Sequence, residues 1–346
     1  MADQDIRLPD TSKLVVSTSP HFHDDQNVRG IMLTVIVALL PACLTGVWFF
    51  GPRALLVLAV CALSSVFFEW VLSRWMNLGN PIGDCSAFLT GLLLGMNLSA
   101  GTPVWICVVG SLLAIGLGKM IYGGLGYNPF NPALVGRVGL LIACPVALTT
   151  WVKPLGLTKW VTNVDGMTTA TPLGVLGMIK QWDPTQIMGD LSLTPMRLFV
   201  GRVGGCIGET SALALLLGGL YLIKRGIIRW QTPVAFIGTV LIITGIAHAA
   251  DPTHFAPPWF HLLTGGLFLG AFFMATDMVT SPMNPLGNVV FGIGCGVVTC
   301  IIRLWGSYPE GVSFSILFMN ALVPLIDRTT ATRPFGYVRP KEEASE

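Results

Sequence analysis

The chain alternates long apolar runs with short polar or Pro/Gly-rich breaks. Residues 31–52, 85–118 and 278–302 carry no Asp, Glu, Lys or Arg at all. A helix that crosses a bilayer needs about 20 predominantly apolar residues. Reading runs between breaks predicts ten spans, over residues 30–50, 53–73, 85–99, 103–122, 131–150, 196–223, 232–250, 259–276, 286–305 and 311–327. The pattern is that of an all-α integral membrane protein. The runs at 85–99 and 311–327 are short for a full crossing, which fits broken or re-entrant helices whose backbone other protein covers. Recurrent small-xxx-small spacing, as in Gly91/Gly95 and Gly292/Gly296, predicts close helix packing rather than ligand binding.

Composition agrees. Of 346 residues, 53% are hydrophobic and 11% charged, against about 25% charged in soluble domains, and mean hydropathy is +0.70. A net charge of +2 excludes the basic surplus of a nucleic-acid binder. The acidic start, MADQDIRLPD, is not a cleaved signal peptide. The eight cysteines form no CxxC pair, so neither a disulfide framework nor a self-contained metal or iron–sulfur site is expected; they read as small buried apolar residues. His21 and His23, beside Asp24 and Asp25, read as solvated rather than metal-binding.

Lys and Arg asymmetry orients the chain. With both termini cytoplasmic, Arg7, Lys13, Arg29, Arg74, Lys224, Arg225, Arg229, Arg328, Arg333, Arg339 and Lys341 all fall inside, and the opposite loops keep little beyond Arg53 and Arg303. The expected organisation is a cytoplasmic segment 1–29, a first five-helix half 30–150, an extracytoplasmic loop 151–195, a second half 196–327 and a cytoplasmic tail 328–346. Leu89–Gly95 resembles Leu263–Gly270 with one residue inserted, and Phe130–Leu134 loosely matches Phe318–Leu322. Two halves of five spans each must be inverted relative to one another, a common transporter pattern.

Charge inside an apolar span is costly and marks function or a packing ion pair. Glu69, Lys119, Glu209 and His248 lie in predicted spans, and Asp84 and Asp277 at span edges. Of these, Glu69, Asp84, Glu209 and Asp277 are the ion-pathway candidates. Two Asn-Pro pairs among the glycines of 122–137 force non-helical backbone at membrane depth and offer amides to an uncharged polar ligand. In the outer loop, Asp165-Gly166-Met167-Thr168-Thr169-Ala170-Thr171-Pro172-Leu173 reads locally as a turn or helix cap.

Together these motifs, with Ser19-Pro20-His21 and the stretch from Asp84 to Gly95, resemble the RnfD/NqrB family, the membrane component shared by two related redox pumps. These pumps are the Rnf ferredoxin:NAD oxidoreductase and the sodium-pumping NADH:quinone reductase. The resemblance covers nearly the whole chain. Only about 29 residues precede the first span, against a longer extension in the quinone-reductase protein, so the Rnf type is the better match. The family signature Asp-Gly-x-Ser/Thr-x-Ala-Thr is matched by Asp165, Gly166, Thr168, Ala170 and Thr171; position 169, often Gly in the family, is Thr here.

The resemblance implies a fold similar to urea and ammonium channels, and FMN held through a phosphoester on Thr171. It implies a separate, FAD-using flavin transferase as maturation partner, and a non-covalent riboflavin near Asn128 and Asn131. It further implies an electron relay within a multi-subunit complex of a bacterial inner membrane, coupling ferredoxin:NAD chemistry to Na⁺ or H⁺ translocation. The chain would not be active alone and has no metal or catalytic residues of its own. Quinone reduction in the sister complex is one alternative; a solute channel or secondary transporter, needing no 165–173 motif, is the rival from another class. Lys153, Lys159, Trp151, Trp160 and Trp182 of the same loop read as interfacial anchors.

Overall fold

The computed structural model describes residues 27–78, 81–154, 168–169, 171, 173–174, 194–201, 204–306 and 310–332. The first helix, α1 (Val28–Phe50), starts where the Asn27 side chain accepts from Gly30 N and ends at Gly51, whose φ of 77° reverses the chain. Pro52 then opens α2 (Pro52–Trp75). After them come α3 (Ser86–Met96), α4 (Val104–Tyr122), α5 (Pro132–Ala143) and a short α6 (Pro145–Thr149). An antiparallel pair of two-residue strands, β1 (Trp151–Val152) and β2 (Thr168–Thr169), interrupts the otherwise helical fold. The remainder is α7 (Pro195–Val200), α8 (Ala212–Lys224), α9 (Gln231–Ala250), α10 (Pro258–Leu263), α11 (Leu267–Leu269, continued by a π turn Gly270–Met274), α12 (Pro285–Trp305) and α13 (Val312–Thr329).

Among the described residues, six helices (α1, α2, α4, α9, α12 and α13) are long and apolar enough to cross a membrane. The other four expected spans are short or broken. Helix α3 has 11 residues, about 16 Å, half a bilayer. The run 131–150 breaks at Cys144 into α5 and α6, and the run 196–223 divides into α7, a 3-10 turn Ile207–Glu209 and α8. The run 259–276 breaks between α10 and α11, where Gly265 and Gly266 take φ of 72° and 64°, a conformation that glycine alone adopts readily.

The distribution of polarity is that of a protein in lipid. Leu44, Leu63, Ile142 and Ile246 are each 65% exposed or more, while Glu69, Lys119, Arg137 and Asn131 are buried. Helix α2 packs on α3 and α4, α1 on α8, and α12 on α9 and α13. The glycine pairs sit at two of these contacts, as the spacing predicts. A Cβ on Gly91 would lie 2.4 Å from Cys61 O, and one on Gly292 would lie 2.7 Å from Thr232 O. Helix backbones meet there at a separation only glycine permits. All eight cysteines are free thiols, six of them buried.

Candidate functional site

The functional residues gather in two places, at opposite ends of the helix bundle. At the end where α1 begins, a cavity with about 790 Å³ of atom-free space, mouth included, lies between the two halves. Its walls are mostly apolar, among them Leu89, Phe272 and Phe273, and its polar members are Ser86, Thr90, Lys119, Asn128, Asn131, Thr276 and Asp277. Behind one wall Lys119 Nζ binds Glu69 Oε1 and Ser86 Oγ, with Lys119 and Glu69 each 1% exposed. Ser86 Oγ and N donate in turn to Asp84 Oδ1 at 2.6 and 2.8 Å, so Asp84 also closes the first turn of α3. On the facing wall Asp277, just past the π turn, accepts from Thr280 Oγ1 at 3.1 Å. Of the four ion-pathway candidates Asp277 lines this cavity, together with Lys119, while Glu69 and Asp84 stand behind its wall, bonded to the lining residues Lys119 and Ser86.

The two asparagines of the Asn-Pro pairs play different parts. Asn131 caps α5, its Oδ1 accepting from Ala133 N (3.1 Å) and Leu134 N (3.4 Å), and its Nδ2 donates to Met274 O at 3.2 Å in the other half. With the Asn320 amide oriented to donate to Ile316 O and Thr280 O, its oxygen accepts from Asn131 N at 3.1 Å. Asn131 is therefore fully committed. Asn128 donates to Phe130 O at 3.1 Å, but its Oδ1 is buried without a partner, although the residue is only 3% exposed. An orphaned acceptor in an apolar cavity costs free energy that a ligand N–H would recover.

Asn97, at the C-terminus of α3, donates from Nδ2 to Leu93 O (2.7 Å) and Met274 Sδ (3.7 Å). Its carbonyl belongs to the second cluster. Arg137, 2% exposed, binds Asn97 O, pairs with Glu310 Oε2 at 2.6 Å and sits 6.0 Å above the Trp151 ring. Cys206 Sγ donates to the same Asn97 O at 3.0 Å, and ligand atoms of Cys206, Glu209 and Glu310 lie within 4.8 Å of one another. Arg303 closes the α10–α11 break, donating to His261 O (2.7 Å), Thr264 O (3.1 Å) and Gly265 O (2.9 Å). Carbonyls at the end of α3 and at the α10–α11 break thus meet a guanidinium, as the local charge of a helix C-terminus favours.

Thr171 lines a cleft beside this cluster, with about 380 Å³ of atom-free space including its mouth, walled also by Glu209, Gly205, Thr264, Gly265 and Glu310. It follows β2 directly, is 5% exposed, and its Oγ1 accepts from Gly174 N at 3.0 Å, the capping bond that the local sequence suggests. Position 168 lies in β2, whereas Asp165, Gly166 and Ala170 lie outside the described residues, as do Lys159, Trp160, Trp182 and the histidines 21 and 23. Trp151 is buried beneath Arg137 rather than set out as an interfacial anchor. Glu209, the fourth ion-pathway candidate, joins Thr171 here and not the first cavity.

Sequence reasoning passed over Arg137, Arg303 and Glu310. Arg303 is not in a loop but in the last turn of α12. The available signal was the cost of a lone cation within or at the edge of an apolar run, which applied to Lys119 and equally to these.

Half-length helices beside full-length apolar ones, a cavity and two buried ion pairs define a polytopic helical membrane protein. The comparisons narrow the class. Residues 15–336 match the NQR2, RnfD, RnfE family, and the chain belongs to that family. It is 45% identical over 321 residues to the D subunit of the proton-translocating ferredoxin:NAD(+) oxidoreductase complex of Clostridium ljungdahlii, covering 93% of this chain and 96% of that one. It is 44% identical over 333 residues to the D subunit of the Na(+)-translocating ferredoxin:NAD(+) oxidoreductase complex of Acetobacterium woodii, covering 96% and 98%. Identity is also 44% over 332 residues to the D subunit of the ion-translocating oxidoreductase complex of Stutzerimonas stutzeri, covering 90% and 92%.

Proposed function

We propose that this chain is the flavin-carrying membrane subunit of an ion-translocating ferredoxin:NAD-type oxidoreductase complex, working only with its partner subunits. The observation that carries the reading is Thr171. It is the last residue of the flavin-attachment signature and it lines a cleft beside the Arg137–Glu310 ion pair and Arg303. FMN on Thr171 would bring one-electron redox chemistry to that cleft. The chain's part is to hold and position it: Gly174 N already orients the Thr171 oxygen, and Arg303, with Nε unpartnered behind Gly265, is the available positive charge for a phosphodiester. Attachment through the phosphate leaves the flavin ring free.

Cavity and cleft suit two different flavins. The first cavity, apolar and lined by Asn128, whose buried Oδ1 has no partner, suits an uncharged planar ring with N–H donors, such as riboflavin without its phosphate. Glu69, Asp84 and Asp277 at or behind that cavity and Glu209 in the second cluster mark an ion route. The names of the relatives leave the cation open, since two of nearly equal identity are named for H⁺ and for Na⁺.

The architecture is read as ten spans in two inverted five-helix halves. Its support is the contact of α1 with α8, the matching contacts of α4 with α2 and of α12 with α9, and the meeting of Asn131 with Asn320. Both termini would be cytoplasmic, in a bacterial inner membrane, with loop 151–195 on the outer side; cysteine-labelling of loop and tail in sealed vesicles tests this. An FAD-dependent transferase would load Thr171. The decisive functional test is Thr171→Ala in the assembled complex. Retained assembly with loss of ferredoxin-to-NAD electron transfer supports the reading, and unaffected electron transfer refutes it. A solute channel would carry no flavin, and a quinone reductase would show ubiquinone-dependent rates.

A further inference from the structure

The Lys119–Glu69 pair is buried more deeply than packing alone explains. Both side chains are 1% exposed, on α2 and α4, and Lys119 reaches Glu69 and the Ser86 hydroxyl, which leads on to Asp84. Taking two charges out of water is so costly that well-packed apolar side chains of similar volume commonly hold helices together as well or better. The pair also opens onto space. Lys119 and Ser86 line the first cavity, and across it stand Asp277 and Asn128, whose buried Oδ1 has no partner. A carboxylate, a hydroxyl and an amide oxygen are hard oxygen donors of the kind that hold Na⁺ or a hydrated proton. A lysine has a compact ammonium on a flexible four-carbon stem, suited to leaving and re-entering such a seat, whereas a bidentate arginine would lock it.

We propose that Lys119 is a tethered counter-cation: its ammonium fills, against Glu69 and Ser86, the seat that the translocated monovalent cation takes, and turns toward Asp277 while that seat is occupied. The exchange keeps Glu69 paired throughout: without the cation it is neutralised by Lys119, and with it by the cation while Lys119 turns to Asp277. In the empty state Asp277 has no counter-cation and is held by the Thr280 hydroxyl, so entry of the cation takes Glu69, Asp277 and Lys119 together from −1 to neutral. The inference rests on the reading of this chain as part of an ion route.

The test uses the whole complex in sealed liposomes, driven by reduced ferredoxin and NAD⁺, and scores cations moved per NADH formed. Uptake of ²²Na⁺ is measured with a protonophore present, and acidification with Na⁺ absent, which tells Na⁺ from H⁺ as the occupant. Two variants are compared with wild type. Glu69→Gln/Lys119→Gln removes both charges together and leaves no orphaned ion; Lys119→Arg keeps the ion pair but strengthens its grip. The proposal expects the ratio to fall at least tenfold in both. A pair that serves packing alone would tolerate Lys119→Arg, and a ratio within twofold of wild type in that variant overturns the proposal even if the neutral pair fails to assemble. Should the wild-type complex itself move no cation, the ion-route reading falls, and this inference with it.

Discussion

Arg137 joins three parts of the molecule, and replacing it gives a quantitative test of the second cluster. Its guanidinium binds Asn97 O at the end of α3 and Glu310 Oε2 (2.6 Å) just before α13, and stacks 6.0 Å over Trp151 of β1. Arg137→Met removes two charge-assisted bonds and leaves Glu310 with neither oxygen partnered, since Oε1 already lacks a partner. Breaking a buried pair from one side costs about 3–5 kcal/mol. The Glu310 side chain is 15% exposed, so water relieves part of that and the lower end, about 3 kcal/mol, is the working value. At roughly 2–4 °C per kcal/mol for a chain of this order of size, the midpoint of thermal unfolding should drop by about 6–12 °C. Unfolding of the purified protein in detergent can be followed with a thiol-reactive dye, because six of the eight cysteines are buried. The double variant Arg137→Met/Glu310→Met no longer strands a charge and should recover at least half of the loss. A drop of under 2 °C in the single variant, or a double variant worse than either single, would refute the argument.

Other outcomes follow from the same geometry. Gly91→Ala places a methyl 2.4 Å from Cys61 O and 2.7 Å from Ala62 Cα, both backbone, and should destabilise by about 1–3 kcal/mol, whereas Gly83→Ala, with nothing within 4 Å, should leave the unfolding midpoint unchanged. Asn131→Ala removes the α5 cap and the bridge to Met274 O and should cost about 1–2 kcal/mol for the cap alone, read in the same assay. Asn128→Ala removes an unpartnered oxygen and, with it, one hydrogen bond to Phe130 O, so stability should change by no more than about 1 kcal/mol while any non-covalent flavin that co-purifies is lost; flavin content after acid extraction measures it. Neutralising Asp277 as Asn should abolish cation movement in liposomes, and normal pumping would remove it from the route.

Much of the architecture was legible because a bilayer imposes simple demands. Charge-free runs mark helices, and Gly91/Gly95 and Gly292/Gly296 lie where helix backbones touch, as their spacing indicates. The Asn-Pro stretch breaks the helix where expected, with Asn131-Pro132 forming a cap followed by an N1 proline. What stayed hidden depends on distant partners. That Arg137 meets Glu310, 173 positions away, leaves no local trace, and neither does the convergence of Lys119 and Asp277 on one cavity. Arg303 reads as a loop cation because it ends an apolar run, although it is there to satisfy carbonyls of a break 38 to 42 positions earlier. Thr171 is the opposite case. Its local pattern gives only a capping turn, and the geometry adds a cleft with charged neighbours, which is why the family signature and the fold must be read together.

The claim that organises this account is a covalent flavin on Thr171. The most direct measurement is in-gel flavin fluorescence of the denatured chain, co-expressed with an active flavin transferase, alongside the intact mass of wild type and Thr171→Ala. The account predicts fluorescence that survives denaturation and one FMN-sized mass increment in wild type, with both absent from Thr171→Ala. Fluorescence persisting in the variant would move the attachment to Thr168 or Thr169. Absence of covalent flavin from wild type would contradict the account and return the chain to the transporter class.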